Sequence, residues 1–251
     1  MRQTMISRQV TMRRIFDPIL AGATFRDRML ACAGGMTGIA LTSLIAWWSL
    51  RDSAMIPLIV APMGASAVLV FAVPASPLAQ PWPVICGNTI SALAGVFCAH
   101  LIGSPHVAAG CAVGLAILAM SLTRSLHPPG GAAALTAVIG GEAVGSLGYS
   151  FAVLPVAFNA VCLVLVGVLY HRVSGHSYPH QARPFGAQAV PQPEFVSPHP
   201  DDIEAALNDL GETYDIGRDD LDLIIRRVDF HAARRRSATT DRGFFSSKKV
   251  R

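Results

Sequence analysis

The distribution of charged residues along the chain constrains its fold most. The stretch from Met29 to Tyr170 contains only four charged side chains: Arg51, Asp52, Arg124 and Glu142. Only 14% of the whole chain is charged, whereas a soluble domain carries about 25%. Apolar runs of this kind cross the hydrocarbon core of a bilayer as helices. The sequence therefore predicts an all-α integral membrane protein with polar ends.

The polar ends and the apolar region divide the chain into five predicted segments. These are a basic leader (1–28), a transmembrane domain (29–172), a Pro-rich linker (173–200), a helical connector (201–236) and a polar tail (237–251). Basic ends predict that both termini lie in the cytoplasm, beside the inner (plasma) membrane. The first sixteen residues, with arginines and no acids, also fit a transit peptide. The net charge of +4 reflects these ends and does not indicate nucleic-acid binding.

Two Pro/Gly breaks interrupt the apolar runs, one at Pro128-Pro129-Gly130-Gly131 and one around Pro62-Met63-Gly64. Proline removes a backbone donor, and in lipid each freed polar group needs another partner. Each break follows one full apolar run and precedes another. This predicts two three-element repeats, 29–101 and 106–170, each with a broken middle helix.

Two topologies fit these repeats, in a bundle of four to six transmembrane helices with short C-terminal cytoplasmic helices. Middle elements that cross the membrane make six passes and two inverted halves, whereas re-entrant elements make four spans and parallel halves. We favour six elements, because Arg124 then lies inside.

A helix that begins with proline and continues with small residues presents backbone N–H groups and a partial positive charge. Two such helix starts near the middle of the membrane would favour a small anion over a metal cation. Asn88 and Ser91 share a helical face. The predicted site residues are Arg124, His127, Pro128, Pro129, Gly130, Gly131, Pro62, Gly64, Ser66, Asn88 and Asn159.

Each polar member of this set also has a structural explanation. His127 could cap the break through a backbone carbonyl, and Arg124 could be a topology charge. Asn88 and Asn159 could bridge helices, and Ser66 could bond its own backbone. No metal or other cofactor is expected, since the five cysteines lie in apolar runs without a Cys-x-x-Cys pair. No catalytic residue set is recognisable either, and an enzyme is not expected.

The stretch Arg124-Ser125-Leu126-His127-Pro128-Pro129-Gly130-Gly131-Ala132 resembles the signature of the HPP family of integral membrane proteins. The resemblance continues over 61–66, 76–81, 87–88 and 178–180. It implies four membrane spans, and it implies nitrite transport, with which the plastid and cyanobacterial members are associated. Many bacterial members also carry CBS domains that bind adenine nucleotides. Because the sequence leaves no room for a CBS pair before Arg251, no adenine nucleotide is expected.

The sequence therefore predicts a membrane transporter or channel for a small, nitrite-like anion. The alternative is a non-transporting membrane sensor or scaffold that acts through the C-terminal helices. Membrane lipids are expected partners, and the many small residues in the helices are compatible with homo-oligomerisation.

Overall fold

The computed structural model describes residues 25–50, 59–181, 199–210 and 215–247 of the chain. In these ranges the chain is helical, without strands, which confirms the predicted all-α membrane fold. Most of the predicted leader, the Pro-rich linker and the end of the polar tail lie outside the described residues. The helices are α1 (Phe25–Leu50), α2 (Pro62–Ala72), α3 (Pro83–Leu101), α4 (Pro105–Leu122), α5 (Pro129–Ile139), α6 (Gly141–Gly145), α7 (Ala152–Ser174), α8 (Pro200–Leu210) and α9 (Arg218–Ser247).

Among the described residues, four helices are long and apolar enough to cross a membrane: α1, α3, α4 and α7. The two helices that start at the Pro/Gly breaks, α2 and α5, have 11 residues each. At 1.5 Å per residue each is about 16 Å long, roughly half of the hydrocarbon core. Proline at the first position suits a helix start, because its missing N–H would have no intrahelical partner there.

One end of the bundle is identified by three hydrogen bonds that join the starts of α1 and α3 to the ends of α4 and α7. The Tyr170 hydroxyl near the end of α7 donates to the Leu30 carbonyl near the start of α1, at 2.7 Å. The indole of Trp82, just before α3, donates to the Thr123 carbonyl, just after α4, at 3.1 Å. Tyr178, which follows α7, donates to the carbonyl of Ala79, a few residues before α3. We call this the proximal end.

The opposite end is marked by His100 near the end of α3 and Tyr149 just before α7, whose rings stack with centroids 5.6 Å apart. The chain from His127 to Tyr149, including α5 and α6, therefore runs from the proximal part of the bundle to the other end. α1 starts at the proximal end whereas α4 finishes there, so these two helices run in opposite directions. Opposite directions of α1 and α4 favour the six-pass, inverted topology, although α2 and α5 are individually short. The internal repeat itself stays a prediction.

Small residues let the helices approach closely, as expected for a membrane bundle. Gly34 and Gly38 of α1 face the Phe71 ring of α2, and a Cβ atom at either position would overlap that ring. Gly35, between them, faces open space. Two of these three glycines therefore lie at the close contact between α1 and α2.

The C-terminal helices differ in length from the predicted connector. α8 and α9 occupy the expected region, but α9 continues to Ser247, beyond the predicted boundary at residue 236. Arg218 at the start of α9 lies 3.0 Å from Glu204 of α8, so an exposed ion pair joins the two helices.

Candidate functional site

The turn between α4 and α5 places His127 in the interior. α4 ends at Leu122, and Arg124 adopts a left-handed conformation with φ of 52°. The Ser125 amide then donates back to the Met120 carbonyl at 2.8 Å. This reversal leaves the Arg124 side chain exposed and buries Ser125 and His127 completely. Such a turn keeps the guanidinium out of the interior, where a charge is costly.

Both nitrogens of the His127 ring are hydrogen-bonded within the protein. Nδ1 lies 2.8 Å from the Leu78 carbonyl oxygen, which can only accept, so Nδ1 carries the proton. Nε2 lies 2.8 Å from the Ser66 hydroxyl, which in this tautomer donates to it. His127 thus joins the start of α5 to the second turn of α2 and to the residues that precede α3. The ring bonds a backbone carbonyl, as the structural explanation expected, but that carbonyl belongs to Leu78 before α3, and no side chain caps the start of α5.

Asn88 extends this network into α3. Its side-chain amide donates to the Ser66 hydroxyl at 3.1 Å and to the Val84 carbonyl at 2.8 Å. The second bond fixes the amide orientation, because a carbonyl accepts only. The Oδ1 atom of Asn88 is therefore left as a buried acceptor, and it has no partner within the described residues.

Other buried polar atoms, on α3 and α7, are also unpaired in the part of the chain that the structure describes. They are Oγ of Ser91 and both Oδ1 and Nδ2 of Asn159, and both residues are 0% exposed. Native proteins pair most buried polar groups with protein or ordered water. We call Asn88 Oδ1, Ser91 Oγ and the Asn159 amide the open polar set. It offers donors and acceptors that no described protein atom uses.

Two members of the open polar set, Asn88 and Ser91 of α3, lie on the side that faces the start of α5. Asn88 and Ser91 are three residues apart on α3 and share one face. A Cβ atom built on Gly130 would lie 2.6 Å from Ser91 Oγ and 3.0 Å from the Gly87 carbonyl. Only glycine lets α5 begin this close to that face of α3. Asn159 belongs to α7, whose first turns pack against α3.

The two half-length helices begin in the same way. The amides of Met63 and Gly64 bond the carbonyls three residues earlier, at 3.0 Å each. The amides of Gly130 and Gly131 do the same, at 2.8 and 3.0 Å. The expectation of unpaired amides at these helix starts is therefore wrong for these four groups, because a tight first turn satisfies them. The helix dipoles, which are positive at their N-terminal ends, remain.

The structure brings some of the predicted site residues together. Ser66, Asn88 and His127 form one hydrogen-bonded cluster, with Pro129 and Gly130 buried beside it. Ser66 bonds His127, and not its own backbone as the structural explanation had it. Pro62 is buried at the start of α2, and Asn159 is buried in α7.

The remaining predicted residues lie differently. Arg124, Pro128 and Gly64 are exposed, and Gly131 is partly buried with no heavy atom within 4 Å of its built Cβ. Sequence reasoning missed the Leu78 carbonyl, because any residue type supplies a carbonyl. Within the described residues, no group of three His, Cys, Asp or Glu residues could hold a metal ion.

The long apolar helices, the two half-length helices and a buried polar cluster between them define an integral membrane protein with a polar site inside its bundle. The chain belongs to the HPP family: the model of the HPP transmembrane region matches residues 21–179. It is 37% identical over 148 residues to a transmembrane protein of Dictyostelium discoideum, covering 57% of this chain and 51% of that relative. A second transmembrane protein of that organism is 39% identical over 109 residues, covering 42% and 35% respectively.

The chain thus spans about half the length of one of these relatives and about a third of the other. No solved structure matches the chain.

Proposed function

We propose that this protein is a membrane transporter or channel for a small anion, of which nitrite is the expected type. The observation that carries the proposal is the open polar set, whose buried polar atoms have no hydrogen-bond partner among the described residues. Leaving such groups unpaired costs about 1–3 kcal/mol each. A bundle retains groups of this kind where a ligand or a file of water occupies the space beside them.

The charges around the site favour an anion over a cation. The open polar set contains no carboxylate, and Glu142, the one acid between Met29 and Tyr170 besides Asp52, is exposed. The positive ends of the α2 and α5 dipoles lie at the network of Ser66 and His127. Ser91 and Asn159 supply neutral donors. A site of neutral donors and helix dipoles binds a small anion without holding it so tightly that release becomes slow.

Uptake by reconstituted liposomes tests the proposal, with nitrite, nitrate, formate and bicarbonate compared in parallel. Ser91→Ala removes one unpaired hydroxyl and no described hydrogen bond, so folding should be retained while uptake falls. Thr42→Val is the matched control, because Thr42 of α1 is also fully buried with an unpaired hydroxyl but lies outside the open polar set. Equal uptake by wild type and Ser91→Ala would argue against this site.

The second candidate function is a sensor or scaffold that acts through the C-terminal helices. It is favoured by contacts between this region and the proximal end, where His180 Nε2 lies 2.9 Å from Asp220 Oδ1. Removal of residues 181–251 distinguishes the candidates: a transporter should retain measurable uptake, even at a changed KM or rate, whereas a sensor loses its output element. We further propose that both termini lie on the cytoplasmic side of the inner membrane, as the basic leader favours.

A further inference from the structure

The segment between α2 and α3 links the C-terminal region to the His127 network. We call residues 74–81 the 74–81 loop. Gln80 stabilises the loop internally, because the Gln80 side-chain amide donates to the carbonyls of Pro74 at 3.0 Å and Ser76 at 2.8 Å. The hydroxyl of Ser76 accepts from the Leu78 amide at 3.1 Å. The loop thus has a defined internal structure that contacts on its outer side can hold or shift.

Two parts of the chain beyond α7 hold this loop from outside. The Ser76 hydroxyl donates to the Asp215 carboxylate, with oxygens at 2.9 and 3.0 Å. The Tyr178 hydroxyl donates to the Ala79 carbonyl at 2.9 Å, and burial raises the pKa of Tyr178, so the phenol stays protonated at neutral pH. The His180 amide donates to the Gln80 side chain at 2.8 Å.

Leu78 connects the outer contacts of the 74–81 loop to the buried His127 ring. Its amide bonds Ser76, the partner of Asp215, and its carbonyl accepts from the His127 ring. From Asp215 to Asn88 the hydrogen bonds run through Ser76, Leu78, His127 and Ser66 without a gap. A contiguous bonded path of this kind can carry coupling between two sites.

We propose that Asp215 is a positioning residue: its carboxylate holds Ser76 and thereby sets the Leu78 carbonyl that orients His127 between α2 and α5. The C-terminal segment then controls the geometry of the polar site from outside the membrane domain. The expected effect of Asp215 on uptake rests on the transport function proposed above. The expected effect of Asp215 on the His127 ring does not depend on transport, so the two effects can be tested separately.

The direct test is the nitrogen resonance of His127 in the full-length protein in bilayers, with all eight histidines ¹⁵N-labelled. His127→Gln assigns the signal by its disappearance. Asp215→Asn should move the His127 resonances and Asp215→Glu should return them toward wild type, because glutamate restores the carboxylate. Asp209→Asn, at an exposed acid of α8, is the matched control and should leave them unchanged. Unfolding temperatures should differ by no more than about 2–4 °C.

Uptake assays of the same proteins give the functional readout. Asp215→Asn should change the KM or the maximal rate for nitrite by about two- to thirtyfold, the range of coupling effects along such paths. Unchanged His127 resonances in Asp215→Asn, or an equal shift in Asp209→Asn, would overturn the inference. If wild-type liposomes take up none of the anions tested, the proposed function fails, while the resonance comparison still decides whether Asp215 positions His127.

Discussion

Replacing Asn159 by leucine should stabilise the protein and, on the proposed transport function, abolish anion uptake. Asn159 is 0% exposed, and both of its side-chain polar atoms lack a partner among the described residues. Leucine has a similar branched shape, so it fills the same space without an unpaired polar group. Removing unpaired buried groups is worth about 1–3 kcal/mol in the free energy of unfolding. The same change removes the Nδ2 donor that would contact the passing anion.

Thermal unfolding of the purified protein measures the first effect, and anion uptake into liposomes measures the second. A gain of about 2 kcal/mol raises the unfolding temperature by roughly 4–8 °C in a chain of this size. Thr42→Val should give a smaller rise with normal uptake. A lower unfolding temperature for Asn159→Leu would mean that the wild-type amide is bonded after all. Normal uptake in a stabilised Asn159→Leu protein would remove Asn159 from the site.

Two further predictions concern packing and topology. Gly38→Ala should lower the free energy of unfolding by about 1–3 kcal/mol, because the added methyl group overlaps the Phe71 ring. Gly35→Ala is the control and should not lower it. Equal effects of the two substitutions in chemical denaturation would contradict the packing described. In a cysteine-free background, Ser104→Cys between α3 and α4 should react with an impermeant thiol reagent added outside cells, and Gln181→Cys after α7 should not. The reverse pattern would place the termini outside.

The sequence predicts the architecture better than it predicts the site. Charge depletion between Met29 and Tyr170 indicates membrane helices for a simple reason: lipid excludes charge from the whole length of a span. The half-length helices begin at Pro62 and Pro129 as the pattern predicts, because proline tolerates only a few positions in a helix. These inferences depend on local composition, which the sequence displays directly.

The site depends instead on which atoms meet after folding. Arg124 and His127 are three residues apart in one signature, yet the left-handed turn at Arg124 exposes one and buries the other. The Leu78 carbonyl is a backbone group, so no side-chain pattern marks it. Ser91 could have been included from its spacing to Asn88, but only the approach of Gly130 identifies their shared face as the one beside the break.

The hydrogen bonds of His127 change which residue should be expected to contact a substrate. Its two ring nitrogens are already bonded to Leu78 and Ser66, so a ligand would have to displace a protein partner to reach them. Replacing His127 by alanine would leave the Ser66 hydroxyl and the Leu78 carbonyl without that partner in a buried position, which is costly. Loss of uptake in that variant would therefore report a collapsed network as readily as a lost ligand.

The donors of the open polar set have the opposite property, since Ser91 Oγ and Asn159 Nδ2 can bind an anion without breaking a described hydrogen bond. On the proposed transport function the residues have different roles: His127 joins the start of α5 to α2 and to the residues before α3, and the donors of Ser91 and Asn159 would face the ion. The position of Asp215 at the far end of the same bonded path explains how a transport function and a role for the C-terminal segment can belong to one protein. On both proposals, a change in the His127 geometry would alter uptake without any contact between Asp215 and the ion.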